Sequence, residues 1–133
     1  MHKEIEDLIE HSHEYACNLI KGTRELYPFG AFIDTLGQVH PLEFDTEENE
    51  IPNNGKVVEA LTKYCEGEFN AEKMNAYAMI YEVSMQLEEG AKPIDAFAID
   101  IKHKSEEAPL FYYPFTVSET GFVEFQEGFA VKR

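Results

Sequence analysis

The sequence predicts an α+β domain: two helices packed on one face of a mainly antiparallel sheet of about six strands, in the order α-β-β-α-β-β-β-β. Three observations carry this expectation. The second half, from Met74 to Phe129, alternates large apolar or aromatic residues with small or polar ones, and turn-forming segments rich in Gly, Pro, Ser and Glu punctuate it. The first half holds two segments whose apolar residues recur at three- and four-residue steps. The 133 residues contain no repeat, low-complexity tract or long linker, so a single domain spanning 1–133 is expected.

The chain opens with an amphipathic helix over residues 3 to about 25. Ile5, Leu8, Ile9, Ser12, Ala16, Leu19, Ile20 and Thr23 share one face, and Glu4, Glu6, Asp7, Glu10, Glu14 and Lys21 the other. Acids fill its first turns and bases its last, as the helix dipole favours. A hairpin follows, with Ala31-Phe32-Ile33 as its first strand. Asp34-Thr35-Leu36-Gly37 is a type I turn closed by a left-handed Gly. The return strand contains Pro41, which cannot donate to a ladder and so marks either an edge strand or the end of a pairing.

Residues 45–54 are polar and acidic and read as a loop. Asn53 or Asn54 caps a second helix through Val57, Val58, Leu61, Tyr64 and Cys65, with Gly67 as its expected stop. Four strands complete the fold, near 74–87, 94–104, 108–118 and 121–131. This order of elements resembles the roadblock-like and profilin-like domains, which end in a further helix. Tyr27-Pro28-Phe29-Gly30-Ala31, Asp34 to Gly37, Ala76-Tyr77-Ala78, Asp95-Ala96-Phe97-Ala98-Ile99, Tyr113-Pro114-Phe115 and Glu124-Phe125 together resemble a group of small uncharacterised bacterial proteins. Those carry a PFG hairpin and a PY-type strand in the same order; the tyrosine of that strand falls at Phe115 here. The resemblance implies a fold and no reaction.

Charge sets the functional expectation. Twenty-six acidic residues oppose 11 basic ones, for a formal net charge of -15. That field repels nucleic acid and anionic membrane surfaces and attracts basic partners. The N-terminal segment has acids where a secretion signal needs bases, and no apolar run spans a bilayer, so a cytoplasmic protein is expected. Cys17 and Cys65 form neither a CxxC pair nor a disulfide framework.

No mechanistic motif is present. The sequence lacks a G-x-S-x-G elbow, a phosphate-binding Gly loop and an H-E-x-x-H pair. In His11-x-His13-x3-Cys17 only His13 and Cys17 share a helical face, too few ligands for zinc. Asp45-x-Glu47-x-Asn49 begins like a calcium loop, but Glu50 stands where Gly is required and Lys56 where the bidentate Glu belongs. Neither a cofactor nor a metal is expected. His40, His103 and Tyr113 are the residues around which an enzyme or ligand pocket would form, and Lys102-His103-Lys104 reads as edge-strand protection. Strand alternation sets Tyr77, Met79, Tyr81, Met85 and Tyr112 as candidates for an open sheet face.

The expected function is a non-enzymatic, acidic protein-binding domain, for instance an inhibitor or immunity-type protein that neutralises a basic partner. Its expected surface comprises Asp45, Glu47, Glu48, Glu50, Tyr77, Tyr81 and Tyr112. The alternatives are the His40/His103/Tyr113 pocket and a homodimeric scaffold joined at a sheet edge.

Overall fold

The computed structural model describes residues 2–23, 26–42, 54–86 and 88–132. Its elements are α1 (Lys3–Thr23), β1 (Phe29–Asp34), β2 (Val39–Leu42), α2 (Asn54–Asn70), β3 (Met74–Met85), β4 (Ile94–His103), β5 (Leu110–Val117), β6 (Val123–Phe125) and β7 (Phe129–Val131). The strands form one sheet in the order β2-β1-β3-β4-β5-β6, every pair antiparallel, with β7 also on β5. The fold is α+β, as expected. No helix is long and apolar enough to cross a membrane, among the described residues.

The placement of the helices differs from the expectation: they lie on opposite faces. β3 faces α1 with Ala76, Ala78 and Ile80, and faces α2 with Met74, Tyr77 and Met79. Register extends this division, since Ala78 pairs with Ala31 and Ile101, whereas Tyr77 pairs with Phe32 and Lys102. The topology supplies the reason. β2 and β3 both run antiparallel to β1 between them, so they are parallel to each other and α2 is their crossover connection. The crossover commits α2 to one face, and the apolar stripe of α1 takes the other.

The α1 face holds the larger core. Ile5, Leu8, Ala16 and Ile20 pack with Phe97, Ile99, Phe111 and Phe115. Fully buried Ala31, Ala76 and Ala78 let the helix approach the sheet. At its start, His2 caps α1 twice: its carbonyl accepts from Ile5 N–H (3.0 Å) and its Nδ1 accepts from Glu4 N–H (3.0 Å).

Two turns follow their sequence signals. Asp34 Oδ1 accepts from the N–H groups of Leu36 and Gln38 at 2.9 Å each, and Gly37 sits at φ 86°. Pro41 lies on β2, an edge strand. The end of α2 departs from expectation, because the helix passes Gly67 and runs to Asn70. It closes in a Schellman motif: Lys73 N–H donates to Glu68 C=O (3.0 Å) and Glu72 N–H to Phe69 C=O (3.1 Å). Glu72, at φ 59°, fills the left-handed position usually given to glycine. The expected Asn cap of α2 lies outside the described residues at Asn53, and likewise for the Asn54 side chain.

The last predicted strand is split into β6 and β7. Between the pairs Phe115–Phe125 and Tyr112–Phe129 the β5 side has two residues and its partner three. Pro114 offers no N–H there, its carbonyl accepting from Gln126 N–H at 2.9 Å, so the extra residue bulges. Gly128 is held in the bulge by the Tyr113 ring: a Cβ at Gly128 would stand 2.3 Å from two ring carbons.

Candidate binding groove

β4 outruns β5. Their pairing ends at Ile99–Phe111, while β4 continues against β3 as far as His103. Among the described residues no strand continues β5 alongside that end of β4, and the connection from Lys104 to Ala108 becomes one wall of a groove of about 730 Å³, within the usual range of ligand clefts, about 300–1,000 Å³. Val58, Thr62 and Glu66, spaced four apart on α2, make the opposite wall. Tyr77, Met79 and Tyr81 form the floor, with Asp100 and Lys102 beside them on β4.

The groove's electrostatics are mixed and acid-rich. The Tyr77 phenol is pushed up to about 12, first by burial and then by the negative fields of Glu66, Cys65 and Asp100. Both carboxylates therefore act on one point of the floor. The lysines are drawn elsewhere: Lys102 Nζ stands 5.3 Å from the Phe69 ring centroid, and Lys104 Nζ donates to Asn75 Oδ1 at 2.9 Å.

Of the sequence-selected surface, Tyr77 and Tyr81 line this groove. Tyr112 lies on the same sheet face, opposite Ala98 and against Phe129, with ring centroids 5.7 Å apart. Asp45, Glu47, Glu48 and Glu50 lie outside the described residues, as does the calcium-like run that begins at Asp45. Sequence reasoning did not select Glu66 or Asp100, and gave Lys102 only an edge-protecting role. Only the alternation of β3 and β4 and the i, i+4 spacing along α2 carried any signal for them.

His40, His103 and Tyr113 do not converge. His40 stacks on Phe32 on the α2 face, centroids 5.0 Å apart, and its Nε2 lies 2.7 Å from Asp34 Oδ2. Hydrogen bonds from Gln38 N–H and the His40 ring outweigh desolvation and hold the Asp34 carboxyl below its ordinary value. His103 and Tyr113 are on the α1 face, each with its own neighbours. Tyr113 contacts His13 edge-on at 4.7 Å, and the Cys17 Sγ lies 3.8 Å from both nitrogens of His13. Burial pushes the Cys17 thiol up and the His13 imidazole down, so both are held neutral. A neutral thiol beside a neutral imidazole is not an activated nucleophile. Cys65 is on the other face, its thiol pushed up to about 11 by burial and Glu68.

Lys102, His103 and Lys104, expected to protect an edge, are each engaged within the fold. His103, its side chain fully buried, places Nε2 at 2.8 Å from Glu4 Oε1, and its Nδ1 accepts from Ser105 N–H at 3.0 Å. Asn75 Nδ2 donates to the other Glu4 oxygen at 3.0 Å. Burial opposes ionisation of Glu4, but the bonds from Asn75 and His103 prevail and its carboxyl titrates below the ordinary value. The His2 ring lies tilted by 40° against His103, centroids 4.3 Å apart, and the ligand atoms of His2, Glu4 and His103 lie within 4.8 Å of one another. The hydrogen bonds nevertheless assign both imidazole protons to Nε2, because each Nδ1 accepts from a backbone N–H. A metal bound through the two Nε2 atoms would require both tautomers to reverse. The cluster is a hydrogen-bonded latch between α1 and β4.

No protein family, curated protein or solved structure matches this chain.

Proposed function

We propose that the protein is a non-enzymatic, acidic binding domain that captures a basic protein on the α2 side of its sheet. In its most concrete form it is an inhibitor or immunity-type protein that covers the cationic working surface of its target. The observation that carries this reading is the groove, with tyrosine and methionine on its floor and carboxylates on its walls, in a chain of net charge -15. Tyrosine and methionine supply contact area, and the surrounding charge accelerates encounter. What further supports it is that His40, His103 and Tyr113 stand apart, which leaves the pocket-enzyme alternative without a constellation.

Affinity capture from the source lysate, eluted in salt steps, tests the reading. A basic protein released between low and moderate salt is the expected result; retention of nothing basic at any salt overturns it. With that partner in hand, Glu47→Lys, Glu48→Lys and Glu50→Lys together should slow association at low salt. An unchanged rate constant would remove that loop from the surface.

A homodimer joined along β6–β7 is the second reading. Phe122, Phe129 and Val131 are 70%, 37% and 43% exposed along that margin, an apolar edge open to strand pairing. Sedimentation at several concentrations decides it, a monomer throughout being the result against.

A further inference from the structure

α2 stands over β1 and β3 alone and α1 takes the other side, so among the described residues no helix lies over the α2 side of β4, β5 and β7. Register and alternation put Val83 and Met85 of β3, Ile94 of β4, Leu110 and Tyr112 of β5, and Phe129 and Val131 of β7 on that side. The charged residues of the same stretches, Glu82 and Asp95, fall on the opposite side. Burial agrees with this division, since Glu82 and Ser84 are exposed whereas Val83 and Met85 are half-buried. A strand that alternates in this way turns its apolar side towards a cover. Phe129 and Val131, which mark the β6–β7 margin, thus project onto this face rather than outward along the edge.

Charge and shape together specify the cover. The chain carries a net charge of -15, and these seven residues carry none of it. A basic partner would bury its cations unpaired against them, whereas a second copy brings an equally charge-free face and keeps its carboxylates in water. At one side of the face α2 raises a step of about 10 Å, one helix diameter, and stacked sheets also pack about 10 Å apart. A second sheet fills that step to its depth, and a two-fold axis makes the same fit in both directions. Four strands about 4.8 Å apart and about five residues long make a face of about 19 Å by 16 Å. Two such faces with their rims bury on the order of 1,000 Å², the lower bound of a specific interface, so the association is weak.

We propose that this face binds a second copy of the chain, the two sheets packing face to face about a two-fold axis with α1 of each copy on the outside. Each α2 then flanks the other copy's sheet. Such a dimer is distinct from strand pairing along β6–β7. It is distinct too from the capture of a basic protein, whose groove lies at the Tyr77 end of β3.

Sedimentation velocity of the full chain across micromolar to millimolar concentrations, at low and high salt, tests it. The expected result is a monomer–dimer equilibrium that tightens as salt rises, because salt screens the repulsion between two chains of net charge -15. A complex with a basic protein loosens instead. Val83→Lys and Tyr112→Lys should each raise the dimer dissociation constant at least tenfold. Ser84→Lys, one residue along β3 and on the opposite side, adds the same charge and should change it less than twofold. Val83 is separated from β6 by β4 and β5, so Val83→Lys leaves an edge-paired dimer intact. Two-dimensional ¹⁵N–¹H spectra report whether each variant is folded, and dilution of the wild type gives a readout that needs no variant. The amides of Val83, Ile94 and Tyr112 should shift together with concentration, while those of Val39 and His40 on β2 stay in place. A monomer at every concentration and salt overturns face packing and the edge-paired dimer alike. A dimer that survives Val83→Lys and Tyr112→Lys, or that Ser84→Lys weakens equally, overturns face packing and leaves a dimer through another surface. Capture of a basic protein stands or falls separately in either case.

Discussion

The two faces of the sheet are built for different tasks from the same strands. On the α1 side, a 21-residue helix reaches from β1 and β3 to β6, and the residues between are almost wholly buried. On the α2 side, a shorter helix covers β1 and β3 and stops. Beyond it, Tyr81 and Tyr112 remain half-exposed and a groove opens over the end of β4 that extends past β5. Coverage is thus the variable that separates a core from a surface here. One sheet carries both because alternate residues of each strand answer to different partners.

Phe97 and Tyr112 make the sharpest contrast. Phe97 is fully buried under α1, stacked on Tyr113 with centroids 5.2 Å apart. Phe97→Ala should cost about 3–5 kcal/mol in urea unfolding, whereas Tyr112→Ala should cost about 1 kcal/mol. Equal losses would erase the distinction between the faces. Next in size is Gly128→Ala, which forces the Tyr113 ring aside and should cost about 1–3 kcal/mol. Placed in a Tyr113→Leu background, the same change should cost less, and a double-mutant cycle measures the difference.

The latch at Glu4 predicts a pH signature on the α1 face. Its carboxyl titrates lower in the folded state than the ordinary 4.5, so its stabilising effect is complete above that value and is lost as pH falls through the folded pKa. Glu4→Gln should therefore unfold at lower urea than wild type near neutrality, with the two curves converging in acid. Glu66→Gln, exposed on α2, should track the wild type within about 0.5 kcal/mol at every pH. The smallest effect is expected at Ser12, a fully buried residue whose hydroxyl has no hydrogen-bond partner among the described residues. Ser12→Ala should leave stability unchanged or raise it by up to about 1 kcal/mol.

Sequence pattern made the elements legible, down to the hairpin turn at Asp34–Gly37 and the edge position of Pro41. The opposed helices were legible as well, in the seven consecutive buried residues from Met74 to Ile80. A strand segment without a charge on either side has both faces covered. Reading both helices onto one face passed over that signal. Pro114 likewise foretold the break between β6 and β7, because a proline inside a paired strand demands a bulge or an edge. The groove and the latch were not legible. Glu66 and Asp100 stand on different elements, and no local pattern states how far β4 will outrun β5. Glu4 and His103 are 99 residues apart, and nothing in either neighbourhood names the other.

That separation also has a consequence in time. A ribosome releases Glu4 long before it releases His103, and the apolar stripe of α1 has to wait for the strands it will cover. Closing so large a loop is entropically slow, which places the domain among those that fold in milliseconds to seconds rather than microseconds. Throughout that interval Ile5, Leu8 and Ile20 face water. The acids along the outer side of the same helix then keep nascent chains apart until the sheet is complete.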